Sequence, residues 1–149
     1  DTFSSRGLGD VYKRQFEAWA LMHDYNCDGV ADLFCSHQGD GIRVYEGAYN
    51  ANDELSFEIS YNKLYADDME GTPNLLAVAS YDIPAITDVD NDGDTDILTF
   101  QTSGGYIIFL QNQAVENGEP CTLDFVIETI WNPVFINRLI TIFSDAKLK

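Results

Sequence analysis

Basic residues are scarce in this sequence. Eight lysines and arginines stand against 25 aspartates and glutamates, which gives a formal net charge of −17 over 149 residues. Between Phe16 and Asn137 the only bases are Arg43 and Lys63. Because nucleic acids and anionic membrane surfaces are bound through basic patches, the composition predicts neither of them as a partner.

Long apolar runs are also missing. No stretch approaches the roughly 20 apolar residues that a membrane-spanning helix needs, and we therefore expect no membrane-spanning helix. The N-terminus has no apolar core segment of the kind that a signal peptide needs. Helical periodicity is lacking before Trp131, so the pattern favours strands over helices.

Cysteine is limited to three residues, Cys27, Cys35 and Cys121. In a secreted protein, Cys27 and Cys35 could pair across a short hairpin and leave Cys121 to a partner elsewhere in a longer chain. Three unpaired, half-buried thiols are the alternative. No C-x-x-C motif or adjacent histidine indicates zinc binding or catalysis.

The two ends of the chain differ from its middle. The stretch SRGLGDVYKRQ, residues 5–15, resembles a sequencing-library adapter read through as protein; the alternative is an ordinary basic leader. We interpret residues 1–15 as adapter-derived and expect them to be disordered. Residues 130–149 have one acid and three bases. They are either a further strand and a short helix or sequence read beyond the true frame.

An internal repeat emerges when the chain is compared with itself at an offset of 64 residues. The acidic stretch DYNCDGVADLF then lies over DVDNDGDTDIL. Similarity continues beyond the loops, where Val44 meets Ile108 and Tyr45 meets Phe109. The chain is therefore predicted to contain two related units, residues 16–80 and an incomplete second unit, residues 81–129.

Each unit predicts a run of short strands. An apolar run precedes the acidic loop, a second follows it, and a glycine-containing turn leads to a third strand rich in β-branched and aromatic residues. In the first unit Leu55, Phe57 and Ile59 alternate, which predicts a fourth strand with one buried face. We predict an all-β chain, a partial β-propeller of two four-stranded antiparallel blades with calcium-binding hairpin loops.

The acidic loops follow the pattern D-x-D-x-D-G-x-x-D, which suits calcium. Calcium takes six to eight oxygen ligands from a tight loop, and the glycine permits the sharp turn. Side chains at positions 1, 3, 5 and 9 and the carbonyl at position 7 would bind the ion. The predicted ligands are Asp24, Asn26, Asp28, Val30 (carbonyl) and Asp32 in the first loop, and Asp88, Asp90, Asp92, Asp94 (carbonyl) and Asp96 in the second.

Two other interpretations fit these loops less well than a calcium site. A solvated turn rich in aspartate and glycine is common, but two such loops in register favour a metal site. An EF-hand requires a glutamate at position 12 and flanking helices. Position 12 is Cys35 or Thr99, and the flanks are predicted strands.

The doubled motif, each copy followed by a G-I/Y-x-V/I-Y/F strand, resembles the FG-GAP repeats of the VCBS group over residues 16–112. The amino-acid sequence of the second unit is also similar to those of large secreted multi-repeat proteins of Bacteroidetes. The resemblance implies integrin-like β-propeller blades with calcium in the hairpin between the first two strands. Asn26 and Cys27 make the first loop less acidic than the second, so the second is expected to bind calcium more tightly.

The function expected from this resemblance is a secreted or cell-surface adhesion or binding scaffold in which calcium is structural. Its partners would be calcium, extracellular proteins or glycans, and the remaining propeller blades. We expect no enzyme: Asp67 and Asp68 fit a solvated linker, and no nucleophile–base pair emerges. The alternative is a propeller or accessory domain of a secreted carbohydrate-binding protein or polysaccharide-degrading enzyme, with Trp19, Tyr45 or Phe109 stacking on sugars.

Overall fold

A computed structural model describes residues 18–39, 41–79, 81–102 and 106–129, and it confirms the all-β prediction within those ranges. No helix occurs in the described residues, and hence none that could cross a membrane. Residues 1–15 and 130–149, for which an adapter origin and an unassigned tail are predicted, lie outside them. The strands are β1 (Ala20–His23), β2 (Asp32–His37), β3 (Gly41–Tyr49), β4 (Leu55–Tyr61), β5 (Tyr65–Asp67), β6 (Pro73–Leu75), β7 (Ala85–Thr87), β8 (Asp96–Phe100), β9 (Ile107–Asn112) and β10 (Phe125–Thr129).

The first sheet is an antiparallel meander in the order β1-β2-β3-β4. The first acidic loop joins β1 to β2. Asn50 closes the hairpin between β3 and β4, because its side-chain Oδ1 accepts the backbone N–H groups of Asn52 and Glu54 at 2.8 and 3.1 Å. Such side-chain-to-backbone bonds explain why asparagine is favoured in turns.

The second sheet has six strands in the order β6-β5-β10-β9-β8-β7. Strands β7 to β10 form an antiparallel meander, so the second unit has a fourth strand, β10. The β5–β6 hairpin adds to its edge through a parallel pairing of β5 with β10. This hairpin lies within the predicted first unit, residues 16–80, although it belongs to the second sheet.

Asp67 and Asp68 are expected to lie in a solvated linker, and that expectation is wrong: Asp67 is the last residue of β5, and Asp68 begins the stretch that joins β5 to β6. Asp68 makes it a hairpin turn: its Oδ1 accepts the backbone N–H groups of Glu70 and Thr72, each at 2.9 Å. These bonds lower the pKa of Asp68. Gly71 takes a positive φ of 74° within the turn, a conformation that glycine adopts without strain.

The offset of 64 residues does not hold through the third strands. Phe34 pairs with Val44, whereas Leu98, its counterpart at that offset, pairs with Phe109. The connection between Gln101 and Tyr106 is one residue longer than that between His37 and Gly41. Val44 therefore corresponds to Phe109, and the predicted match of Val44 with Ile108 is wrong by one residue.

The two sheets pack through opposite faces. The first sheet buries the row Leu21, Phe34, Val44 and Tyr61, whose members pair across all four strands. The second sheet buries the row Ile86, Ile97, Leu110 and Ile127. Phe34 is the second residue after its loop's last aspartate, whereas Ile97 is the first. Successive residues of a strand point to opposite faces of a sheet. The first sheet therefore packs one of its faces against the non-equivalent face of the second sheet.

This stacking also explains why β4 differs from its prediction. Leu55 is 40% exposed and Ile59 is 54% exposed, so their shared face is not buried. Ile59 pairs with Tyr45 on the side of the first sheet that faces away from the second. The alternation in the sequence is present, but no described sheet covers that side.

A disulfide joins the first acidic loop to the second unit. Cys27 is bonded to Cys121, with their Cα atoms 5.6 Å apart and a separation of 94 residues in sequence. The Cys27–Cys35 pairing is therefore wrong, because Cys35 points from β2 into a buried position while Cys27 lies at the tip of the loop. The bond connects parts of the chain that sequence spacing does not bring together.

The first prediction concerns this disulfide. Replacing both Cys27 and Cys121 by serine should lower the free energy of unfolding by about 2–5 kcal/mol, since a cross-link that closes a loop of this length restricts the unfolded chain strongly. Urea unfolding of the double variant and of the parent protein measures the difference.

Peptide mapping without reductant provides the control for connectivity. It should recover Cys27 linked to Cys121 in the parent protein and in Cys35→Ser. A peptide that links Cys27 to Cys35 would contradict the structure.

Candidate metal centre

The first acidic loop turns its backbone amides towards its own side chains. The N–H of Gly29 donates to Asp24 Oδ2 at 2.9 Å, that of Asp28 to Asn26 Oδ1 at 3.1 Å, and that of Val30 to Asp28 Oδ1 at 2.7 Å. The side chains predicted as ligands at positions 1, 3 and 5 thus each accept a backbone N–H group of the same turn. Val30 is predicted to act through its carbonyl, and that role stays a prediction.

The second loop has a related network with more carboxylates. Asp88 accepts three backbone N–H groups, from Asn91, Asp92 and Gly93, at 2.7, 3.2 and 3.2 Å. The Gly93 bond is the counterpart of the Gly29 bond in the first loop. Asp92 Oδ1 accepts the N–H of Asp94 at 3.1 Å.

Both loops use the left-handed region at the same two positions. Cys27 and Asn91, at position 4, have φ values of 62° and 65°, and Gly29 and Gly93, at position 6, have φ values of 83° and 105°. A glycine at position 6 accommodates this conformation without a steric cost. The sequence therefore specifies the same turn twice.

The aspartate at position 9 joins its loop to the third strand of its sheet. Asp32 accepts the N–H of Tyr25 at 3.1 Å and that of Gly47 at 2.9 Å. Asp96 accepts the N–H of Val89 at 2.8 Å and that of Asn112 at 2.9 Å. Both aspartates are fully buried. A carboxylate has lone pairs for further partners, so these bonds leave each of them able to bind a cation.

The structure brings three of the predicted ligands together in the second loop. One carboxylate oxygen each from Asp88, Asp90 and Asp96 lies within 4.8 Å of the others. The first loop, all of which is described, does not bring Asp24, Asp28 and Asp32 into a comparable group. The acidic clusters can therefore hold a metal ion, and the stronger candidate is in the second loop.

The remaining aspartates of the second loop belong to another group. Asp92 and Asp94 lie within the same 4.8 Å limit of Glu116, a residue between β9 and β10. Asp94 is predicted to contribute only its carbonyl, yet its side chain is 5% exposed and accepts the N–H of Val115 at 3.1 Å. Glu116 escapes the sequence pattern because it lies 22 residues beyond Asp94 and has no acidic counterpart in the first unit.

Several carboxylate oxygens in the loops are buried and accept no hydrogen bond. They are Oδ1 of Asp24, Oδ2 of Asp92 and Oδ1 of Asp94. A buried polar atom without a partner costs free energy, and oxygen donors of this kind are the ligands that calcium prefers. The donor set therefore fits a hard cation.

Burial raises the pKa values of the inner carboxyl groups. It raises the pKa of Asp94 to about 7, opposed by the hydrogen bond from Val115 and reinforced by the charges of Asp92 and Asp96. It raises the pKa of Asp96 to about 6, opposed by the bonds from Asn112 and Val89. The pKa of Asp32 is raised for the same reason, against the bonds from Gly47 and Tyr25. The folded chain therefore favours protons, or another cation, in these loops.

The two units also meet beside the acidic loops. His23 Nε2, directly before the first loop, lies 3.1 Å from Thr95 Oγ1 in the second. This contact and the Cys27–Cys121 bond place both loops in one part of the molecule. His23 is the last residue of β1.

Comparison with known proteins identifies no relative. No family model, no curated protein and no solved structure matches this chain. Membership of the FG-GAP or VCBS group therefore stays a prediction.

The second prediction is that the stability of the chain in a chelator falls as the pH rises. An unfolded aspartate has a pKa of about 3.9, below the folded values of Asp94 and Asp96. The folded state thus binds more protons between about pH 4 and pH 7, and the free energy of unfolding decreases across that window. Urea unfolding with EDTA at pH 5 and pH 7.5 measures the decrease.

Two variants separate this effect from general charge repulsion. Asp94→Asn should reduce the decrease by at least about 1 kcal/mol, the equivalent of less than one pKa unit. Glu70→Gln, which removes one charge from an exposed turn, should leave it nearly unchanged. An equal pH dependence in the parent protein and Asp94→Asn would contradict the assignment.

Proposed function

We propose that the chain is part of an extracellular calcium-binding β-propeller of the FG-GAP or VCBS type, in which calcium is structural and the propeller serves as an adhesion or binding scaffold. The observation that carries this proposal is the shared hairpin geometry of the two acidic loops. The grouping of Asp88, Asp90 and Asp96 adds the ligands in one of them.

Electrostatics support a bound cation over an acidic turn alone. Two unit charges 4.8 Å apart repel by about 3 kcal/mol at an effective dielectric constant near 20. The Asp88, Asp90 and Asp96 group contains three such pairs, since all its ligand atoms lie within that distance. A divalent cation converts these repulsions into attractions. Calcium is the best candidate because all the donors are oxygens.

The stacking of the sheets supports the propeller. The outer face of the first sheet carries the row Met22, Leu33, Tyr45 and Ile59. This row is equivalent in position to the row that the second sheet buries against the first. The outer face of the second sheet carries the row Ala85, Leu98, Phe109 and Glu128. This row is equivalent in position to the row that the first sheet buries against the second. Each outer face is thus suited to another sheet in the same relation.

Exposed apolar side chains on both outer faces are consistent with additional blades. Met22 is 56% exposed on the first sheet, and Phe100 and Ile107 are 49% and 40% exposed on the second. A ring needs about four to eight blades. The chain would therefore supply two neighbouring blades of a larger propeller.

The extracellular location is supported by the disulfide. Cys27 and Cys121 form a cross-link that oxidising compartments permit and that cytosolic proteins rarely keep. The acidic surface and the few bases agree with a partner other than nucleic acid or an anionic membrane.

A scaffold remains our proposal rather than an enzyme or a sugar-binding module. Trp19, Tyr45 and Phe109, the aromatics considered for sugar stacking, are 5%, 7% and 1% exposed and serve in packing. Asp68 organises a hairpin turn and its neighbour Asp67 is part of β5. These placements favour structural roles for the residues that the alternatives need.

The third prediction is that calcium stabilises the chain. At a free calcium concentration 100 times the dissociation constant, one site adds about 2.7 kcal/mol to the free energy of unfolding, which corresponds to a rise of several degrees in Tm. Calorimetry in EDTA and in excess calcium measures the shift. An unchanged Tm would contradict the proposal.

Matched variants rank the two loops. Asp88→Asn should remove more of the calcium-dependent shift than Asp24→Asn, because the second loop has more carboxylates. Asp53→Asn, in the exposed β3–β4 turn, is the control and should keep the whole shift. A larger loss in Asp24→Asn would show that the first loop dominates.

A further inference from the structure

We propose that Asp92, Asp94 and Glu116 form a second divalent-cation site beside the first, joining the second acidic loop to the connection between β9 and β10. This inference rests on the proposed function, since it adds a second ion to the same loop. It assigns a ligand, Glu116, that lies outside the repeated motif.

The geometry separates this group from the one formed by Asp88, Asp90 and Asp96. The two groups share no residue, and each brings its three ligand atoms within 4.8 Å of one another. Gln111 lies between them: its Nε2 donates to Asp90 Oδ2 at 2.8 Å and to Glu116 Oε1 at 3.3 Å. One neutral amide thus contacts both groups.

Burial of Asp94 provides the second observation. This side chain is 5% exposed, and its Oδ1 is buried and accepts no hydrogen bond, while Oδ2 accepts the N–H of Val115. Its neighbour Asp92 also keeps one buried oxygen, Oδ2, without a hydrogen bond. A surface turn would leave such oxygens to water. Here a cation can bind these carboxylate oxygens in place of water.

Glu116 is held in place by an ordered turn and remains accessible. The N–H groups of Asn117, Gly118 and Glu119 donate to the carbonyls of Gln113, Val115 and Ala114 at 2.9, 3.0 and 2.7 Å. Glu116 itself is exposed, so an ion can enter from its side. Binding would fasten the second loop to the connection that carries Cys121, and thus to the first loop through the disulfide.

A shared proton is the competing explanation for this group. A protonated Asp94 could donate a hydrogen bond from its carboxyl O–H to the carboxylate of Asp92, which would satisfy both side chains without a metal. That arrangement makes no use of Glu116. The contribution of Glu116 to calcium binding therefore distinguishes the two explanations.

The fourth prediction tests the site by calorimetric titration of the full chain with calcium chloride at pH 7.5. Glu116→Gln should bind one ion fewer than the parent protein, or bind one ion at least about 10-fold more weakly, because carboxylate number sets affinity at such sites. Glu119→Gln is the matched control with the same charge change and should behave like the parent. Asp92→Asn should reproduce the loss seen in Glu116→Gln, because it also removes one carboxylate from the group. The turn should be kept, since the amide oxygen of the new side chain can still accept the N–H of Asp94.

The outcomes separate this inference from the proposed function. Unchanged stoichiometry and affinity in Glu116→Gln and Asp92→Asn, together with a loss in Asp88→Asn, would overturn the second site and leave the proposed function intact. Absence of calcium binding by the parent protein would overturn both. An ion that depends on Glu116 and persists in Asp88→Asn would support the second site as a separate one.

Discussion

Repulsion among carboxylates crowded into two hairpin turns is the constraint on which the rest of this structure depends. Hydrogen bonds from the loops' own backbone amides satisfy part of the charge, most fully at Asp88, which accepts three of them. The fully buried Asp32 and Asp96 use both oxygens to hold each loop against the third strand of its sheet. Burial raises the pKa values of Asp94 and Asp96, and the charges of neighbouring aspartates add to the rise, so the charged forms of both groups remain costly in the folded chain. A calcium ion in each loop would offset this cost, as we propose.

The loops also connect the two sheets. His23 contacts Thr95, and the disulfide of Cys27 with Cys121 ties the first loop to the connection after β9. Behind these links the sheets bury opposite faces in a common core that contains Phe34 and Ile97. Ordering of the acidic loops by a cation would therefore stabilise the interface between the sheets as well as each hairpin. This coupling is why we propose a structural role for calcium.

Local chemistry made part of this structure predictable. The glycines at position 6, the aspartates at position 9 and the β-branched runs act within a few residues, so the hairpins and the all-β class follow from the sequence. Non-local features did not follow: the partner of Cys27, the parallel pairing of β5 with β10 and the approach of Glu116 to Asp94 depend on how distant segments meet. Likewise the exposure of Ile59 depends on which face a neighbouring sheet covers, and one extra turn residue shifted the match of the third strands.

The most direct measurement of the central claim is anomalous diffraction from crystals of the chain grown with calcium. The account predicts an anomalous peak in the second acidic loop, about 2.3–2.6 Å from carboxylate oxygens of Asp88, Asp90 and Asp96. A weaker peak is expected in the first loop, beside Asp24 and Asp28. Well-ordered loops without a peak at saturating calcium would contradict the account, because the aspartates would then be held by protons and backbone hydrogen bonds alone.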